Sequence, residues 1–337
     1  MQAMSSPRRP LASSPSMGFS LIELMVSLAI GLIIVVAAMS AYLGAASSSR
    51  MSDAQSRMNE DAQAALNVLV QQIRMAGTNP VQANRLDVYG HNPVYNPTYV
   101  GGSVTAYANG TTTYSVSSGP SAFSIRGCDG TFSNITNTFT VPNLNSFTNC
   151  GTSTLPDSIA ISYEADRYNT APSGNNPTDC VGSSLPTITA TFPVGAASFS
   201  VADNRFYIAN SSNIPSLMCK GISSGTQPLV ENVEDMQLAY GTVSTTEVSN
   251  TATVAGYLTA SEVIALAPTA DTSGYSTAWG KVLSVRICIV VRSDRPVVSN
   301  AVSGGYYKCD GTLDTSKTDL RLRRAYFTTV VLRNRRL

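Results

Sequence analysis

Few residues in this chain are placed to do chemistry, and the most demanding is a single carboxylate. Glu23 stands in Gly18-Phe19-Ser20-Leu21-Ile22-Glu23-Leu24-Met25, at the head of a run with no charge and no proline from Leu24 to Ala46. At a rise of about 1.5 Å per residue that run reaches ~35 Å, enough to cross the hydrocarbon core of a bilayer with modest tilt. A lone carboxylate in lipid costs on the order of 2.5–3.5 kcal/mol on insertion scales, so an acid here is a functional residue that needs a cationic partner.

The other reactive residues give weaker signals. Six cysteines, Cys128, Cys150, Cys180, Cys219, Cys288 and Cys309, all follow the apolar run. An even number in an oxidising compartment suits disulfides, with fifteen connectivities open. Pairing between nearest neighbours closes the loops 128–150, 180–219 and 288–309; buried free thiols are the other reading. A metal site is not indicated, because no C-x-x-C occurs and the single histidine, His91, lies in the turn-like Gly90-His91-Asn92-Pro93. Gly221-Ile222-Ser223-Ser224-Gly225 spells a nucleophile elbow, but no histidine base follows Ser223. Gly274 to Lys281 is spaced wrongly for a phosphate loop, and Val282 replaces its Ser or Thr. Glu234-Asp235 falls in a strand-like stretch and reads as facing solvent. No cofactor is implied.

The elements that hold these residues follow from periodicity. Beyond the apolar run, Met51, Ala54, Met58, Ala62, Ala65, Leu69, Ile73 and Ala76 recur at spacings of three and four, which predicts that one helix continues from Phe19 to Ala76. Gly77 and Pro80 end it. The narrow, alanine-rich stripe suits packing on a sheet better than a coiled coil. From Asn79 onward the pattern is strand and loop, with short strands at 121–126, 157–163 and 205–209 and the longest signals at 281–292 and 320–332. In the first of these long signals Leu283, Val285, Ile287, Ile289 and Val291 share one face. Polar stretches near 100–120, 169–185 and 242–275 read as loops or excursions.

Composition places the bulk of the chain outside the cytoplasm. Charged residues make up 13% of the 337, against the usual quarter or so. A formal net charge of +1 argues against a chain built to grip nucleic acid. Arg8 and Arg9 precede the apolar run and no Lys or Arg follows it until Arg50, so the amino end stays cytoplasmic. Arg321, Arg323, Arg324, Arg333, Arg335 and Arg336 crowd the carboxy end. They read as the charged flanks of an edge strand, or else as a contact for DNA or another anionic polymer.

Gly18 to Leu24 followed by a long apolar helix resembles the signal of type IV pilins and type II secretion pseudopilins. Farther on, Leu229 to Gly241, Val285 to Ser293, Arg323-Arg324 and Leu332 to Arg335 resemble blocks of PilW-type minor pilins. The resemblance implies cleavage by a prepilin peptidase between Gly18 and Phe19, N-methylation of Phe19, and pairing of Glu23 with a neighbouring subunit's amino terminus. It implies an α+β fold of the type IV pilin kind: a leader at 1–18, a membrane-spanning helix half at 19–46, an amphipathic half at 47–77, and a β-rich, mainly antiparallel head at 78–337. Large size, and Ser40 where major pilins commonly carry proline, favour a minor subunit. Implied partners are other minor pilins, the major pilin, the prepilin peptidase, a large adhesin-like tip protein and the inner membrane, with the head periplasmic and then on the pilus. Three alternatives stay open. One is a minor pseudopilin of type II secretion; another is a membrane-anchored periplasmic enzyme or a DNA or surface receptor, uncleaved; the third is an ordinary secretory signal cut at Gly44-Ala45-Ala46.

Overall fold

The computed structural model describes residues 18, 20–78, 104–108, 112–116, 124–133, 150–151, 156–192, 195–221, 225–243, 253–266, 279–300 and 304–335. Two compact units divide the chain, Met1–Ser52 and Asp53–Leu337. Helix α1 (Leu21–Met75) is one element of 55 residues. No proline interrupts it, so every interior amide keeps its partner four residues back.

In the first unit α1 is long and apolar enough to cross a membrane, judged by length and composition, and none of that stretch is buried in protein. Three of its serines bond back to the preceding turn. Ser27 donates to the Glu23 carbonyl at 2.7 Å, Ser40 to Val36 at 2.9 Å and Ser47 to Gly44 at 2.9 Å. Bonding back to the preceding turn hides a polar group where water is absent.

In the second unit α1 buries a seam of Ala54, Met58, Ala62, Ala65, Leu69 and Ile73, none more than 4% exposed. Alanine at three of the six positions brings the helix backbone close to the strands behind it. Gly77, at φ +72, turns the chain out of the helix. Its N–H donates to the Ser162 carbonyl at 3.0 Å, and the Glu164 N–H donates to the Thr78 carbonyl at 2.9 Å. From the far end of the chain, the Asn334 side-chain amide donates to the Arg74 carbonyl and to the Thr78 hydroxyl. The orphan carbonyls of the helix end are thus met by a residue more than 250 positions away.

All described strands pair antiparallel. The larger sheet has eight strands: β1 (Val104–Ala108), β2 (Thr112–Val116), β3 (Ile125–Cys128), β4 (Ser158–Ala165), β5 (Ile188–Phe192), β6 (Gly195–Ser211), β7 (Ile214–Lys220) and β8 (Thr226–Glu231). Its path is β2-β1-β5-β6-β4-β3, with β7 also on β6 and β8 on β7. The smaller sheet runs β10 (Gly256–Leu258), β9 (Val233–Thr242), β11 (Val282–Pro296), β14 (Arg321–Val331). A hairpin of β12 (Tyr306–Tyr307) and β13 (Leu313–Asp314) stands apart. One apolar core joins the α1 seam to both larger sheets: Ile159, Ile161 and Phe206 from one, Val285, Ile287, Ile289 and Val291 from the other.

Two stretches read as loops differ. Within 100–120 the chain forms β1 and β2, whose Thr, Ser, Tyr and Ala residues carry strand propensity without apolar alternation. Within 242–275 it forms β10 and helix α2 (Ala260–Ala265), held by a capping box of Thr259 and Glu262.

The seam yields a paired test. Ala65 is fully buried and Ala64 beside it is exposed. Ala65→Leu is expected to destabilise the head by about 1–3 kcal/mol through overpacking, while Ala64→Leu stays within about 0.5 kcal/mol. Denaturant melts of the detergent-solubilised protein check this; equal effects would contradict the packing described.

Candidate functional site

Gly18 and Glu23 lie outside the folded head. A Cβ added at Gly18 meets nothing within 4 Å. Phe19 is outside the described residues, as are His91, Ser223 and the glycine-rich stretch from Gly274 to Ala278. Glu23 sits in the first turn of α1, exposed, and no described residue donates a hydrogen bond or ion pair to its carboxylate. An acid near a helix amino terminus suits the helix dipole. In a bilayer it would have no counter-charge among the described residues.

The cysteines form three bonds: Cys128 to Cys150, Cys180 to Cys219, and Cys288 to Cys309, with Cα separations of 5.4, 6.4 and 5.8 Å. Each ties an irregular segment to a strand. Cys219 on β7 holds the long connection after β4, and Cys288 on β11 holds the β12–β13 hairpin against the smaller sheet. Closing a loop restricts the unfolded chain and is commonly associated with about 2–4 kcal/mol per bond.

The carboxy-terminal arginines divide into groups with different roles. Arg323, 5% exposed, forks onto Glu234 at 2.6 and 2.9 Å and onto Asp319 at 2.7 and 2.6 Å. Arg292 adds a third contact to Glu234 at 3.2 Å. Glu234 is therefore not a solvent-facing acid, as its place in the sequence suggests; it binds β9 to β11 and β14. The fork from Arg323 holds the Asp319 carboxyl down to about 2. Burial alone pulls the Arg323 guanidinium down, but its hydrogen bonds to Asp319 and Glu234 outweigh that and raise it. Arg321 donates to the carbonyls of Ser293 and Asp294. Arg324 lies over the Tyr326 ring, 5.9 Å from its centroid, and Arg333 is exposed. Arg336 is outside the described residues.

Charges are also sunk in the larger sheet where the sequence gives little warning. Arg126, Arg205 and Lys220 lie in one row across β3, β6 and β7, each at most 3% exposed. Arg205 meets Asp203 at 3.7 Å, both side chains fully buried. Burial raises the Asp203 carboxyl, while Arg205 and Arg126 pull it back. Asp157 accepts from the Gly130 N–H at 3.2 Å and the Leu238 N–H at 2.7 Å, joining the β3 turn to β9. Gly127 is required nearby, since a Cβ there would lie 1.7 Å from the Tyr240 hydroxyl. Among the described residues no group of three or more His, Cys, Asp and Glu is placed to hold a metal ion.

These residues make a framework. The family model described as Type IV Pilus-assembly protein W matches residues 205–334. That region runs from the middle of β6 through β14 and contains the Arg323 network. A structure of the type IV-like pilin TTHA1219 from Thermus thermophilus is similar at 13% identity, covering 54% of this chain and 81% of that one, with a TM-score of 0.24. An overlap that low carries no argument. No curated protein matches the chain. The family match links the head to type IV pilus-assembly proteins, and α1 supplies a candidate membrane span.

Asp157 gives the head a pH dependence of stated sign. Burial raises its carboxyl from 3.8 to about 7, against the pull of its two backbone hydrogen bonds. A raised folded-state value favours the protonated form, so the stability this residue adds is full below about pH 4 and is lost as pH rises through 7. The stability margin of wild type over Asp157→Asn is expected to shrink between pH 4 and 7. Melting temperatures across that range test it, and a margin that grows with pH contradicts it.

Proposed function

We propose that this chain is a minor pilin, a non-enzymatic subunit that takes part in type IV pilus assembly, filament initiation and the tip complex. The observation that carries the reading is Glu23: one carboxylate at the start of an otherwise uncharged span, with no described partner in its own chain. A neighbour's amino-terminal cation, met in low dielectric, supplies that partner and sets the axial register between helices. The match to a pilus-assembly family over residues 205–334 supports a pilus over a secretion system.

On this reading residues 1–18 are a leader removed by a prepilin peptidase, and Phe19 becomes the N-methylated first residue. Residues 19–46 span the inner membrane with the amino end cytoplasmic, 47–77 form the amphipathic half of the helix, and 78–337 form a periplasmic head that later reaches the cell surface. Other minor pilins, the major pilin and a large adhesin-like tip protein are its partners. No cofactor or metal is needed, because the work is packing and register.

Processing tests the reading. A peptidase that fits a small residue at the cut should fail on Gly18→Val, leaving a protein about 2 kDa heavier in the membrane fraction. Intact-mass spectrometry reads both forms. A wild-type amino terminus at Met1 or at Ser47 would sink the proposal.

A further inference from the structure

The smaller sheet ends at β14, which pairs with β11 along one side only. Among the described residues no strand and no backbone hydrogen bond occupies its other side. That edge is not a flat surface. It is the floor of a cavity of 560 Å³, within the range of pockets that hold ligands.

Each face of β14 supplies one wall. On the inner face Tyr326 donates to Asn59 at 2.7 Å, which sets Gln55, Met58 and Asn59 of α1 beside the edge. On the outer face Phe327 stands opposite Cys288, whose bond to Cys309 sets the hairpin residues Tyr306 to Lys308 there. A chain lying between these walls meets the unpaired amides and carbonyls of Ala325 and Phe327, since the backbone groups of alternate residues on an antiparallel edge strand point outward and those of Arg324 and Tyr326 bond to β11. Tyr307 and Phe327 are 66% and 57% exposed at the rim.

Charge decides what kind of chain fits. Arg321 and Arg323 are turned to carbonyls and carboxylates of the head, whereas Arg324 and Lys308 line the groove and form no salt bridge with a described residue. Two copies meeting edge to edge would bring these cations against their twins, which disfavours self-pairing. We propose that the β14 edge takes up an extended acidic segment of a different polypeptide as an added strand. Backbone hydrogen bonds supply affinity, and carboxylates opposite Arg324 and Lys308 supply selectivity. This docking site goes beyond the pilin reading and does not depend on Glu23, so either can fail alone.

A phage-displayed library of random peptides, panned on the full chain in detergent, tests the docking site. Enriched peptides should carry Asp or Glu between alternating apolar residues and shield the outward amides of Ala325 and Phe327 from hydrogen exchange. They should lose about tenfold or more in affinity for Arg324→Glu with Lys308→Glu. The milder Arg324→Gln with Lys308→Gln should weaken them in the same direction, and serves if the reversed variant does not fold. No enrichment, enrichment without acids, protection away from β14, or affinities indifferent to both variants would overturn the proposal.

Discussion

One helix without proline has to satisfy two surroundings, and the other features of the chain are arranged around that demand. From Leu24 to Ala46 its side chains carry no charge, and Ser27 and Ser40 close their hydroxyls onto the preceding turn. From Asp53 to Met75 the same helix carries an apolar seam on one face and Arg57, Glu60 and Gln63 elsewhere. A helix makes its backbone hydrogen bonds within itself, so it passes from one environment to the other without a break in pairing. Only the side chains need to change, and Glu23 stands as a charge at the very head of the apolar run.

In the head, the last strand and the residues after it are fastened to the end of α1 and to β9. Asn334 caps the carbonyls at the end of α1, and Arg323 holds β14 to β9 and to its own preceding turn. A guanidinium donates to carboxylates in its plane, so two forks specify position as well as attraction. Cys288–Cys309 ties the hairpin to β11, with the centre of the Tyr306 ring 6.0 Å from the Arg323 guanidinium. The result is a strand whose inner pairing is strongly determined and whose outer edge stays open between two walls. A covalent bond and an ion network thus frame the edge without filling it.

How much was legible in the sequence varied with the range of the interaction involved. The α1 seam could be read because its contacts repeat every three or four residues, and β11 because Val285, Ile287, Ile289 and Val291 alternate on one face. The antiparallel head on a long helix followed from the same patterns. The β1–β2 hairpin was hidden, since its Thr, Ser and Tyr residues look like loop composition. Glu234 was misread because its partners are 58 and 89 positions away, beyond any local pattern. Buried Asp157, Asp203 and Arg205 escaped for a related reason: a charge in a strand reads as outward unless the covering chain is known. The one available hint was Asp203 and Arg205 alternating inside a strand flanked by Val201, Phe206 and Ile208. The cysteine sequence left fifteen pairings, and their choice rests on how the strands bring them together.

The central claim is that Glu23 serves contact between subunits and not anchoring. A span inserts better without an internal acid, by roughly 2.5–3.5 kcal/mol, so an anchor alone gives no reason for one. The most direct measurement compares the Glu23→Ala strain with wild type for membrane insertion, crosslinking to partner pilins and number of surface pili. Insertion and cleavage should be intact, crosslinking weaker, and pili fewer but of near-normal thickness, the outcome expected if the subunit starts filaments. Crosslinking and piliation equal to wild type would contradict the account.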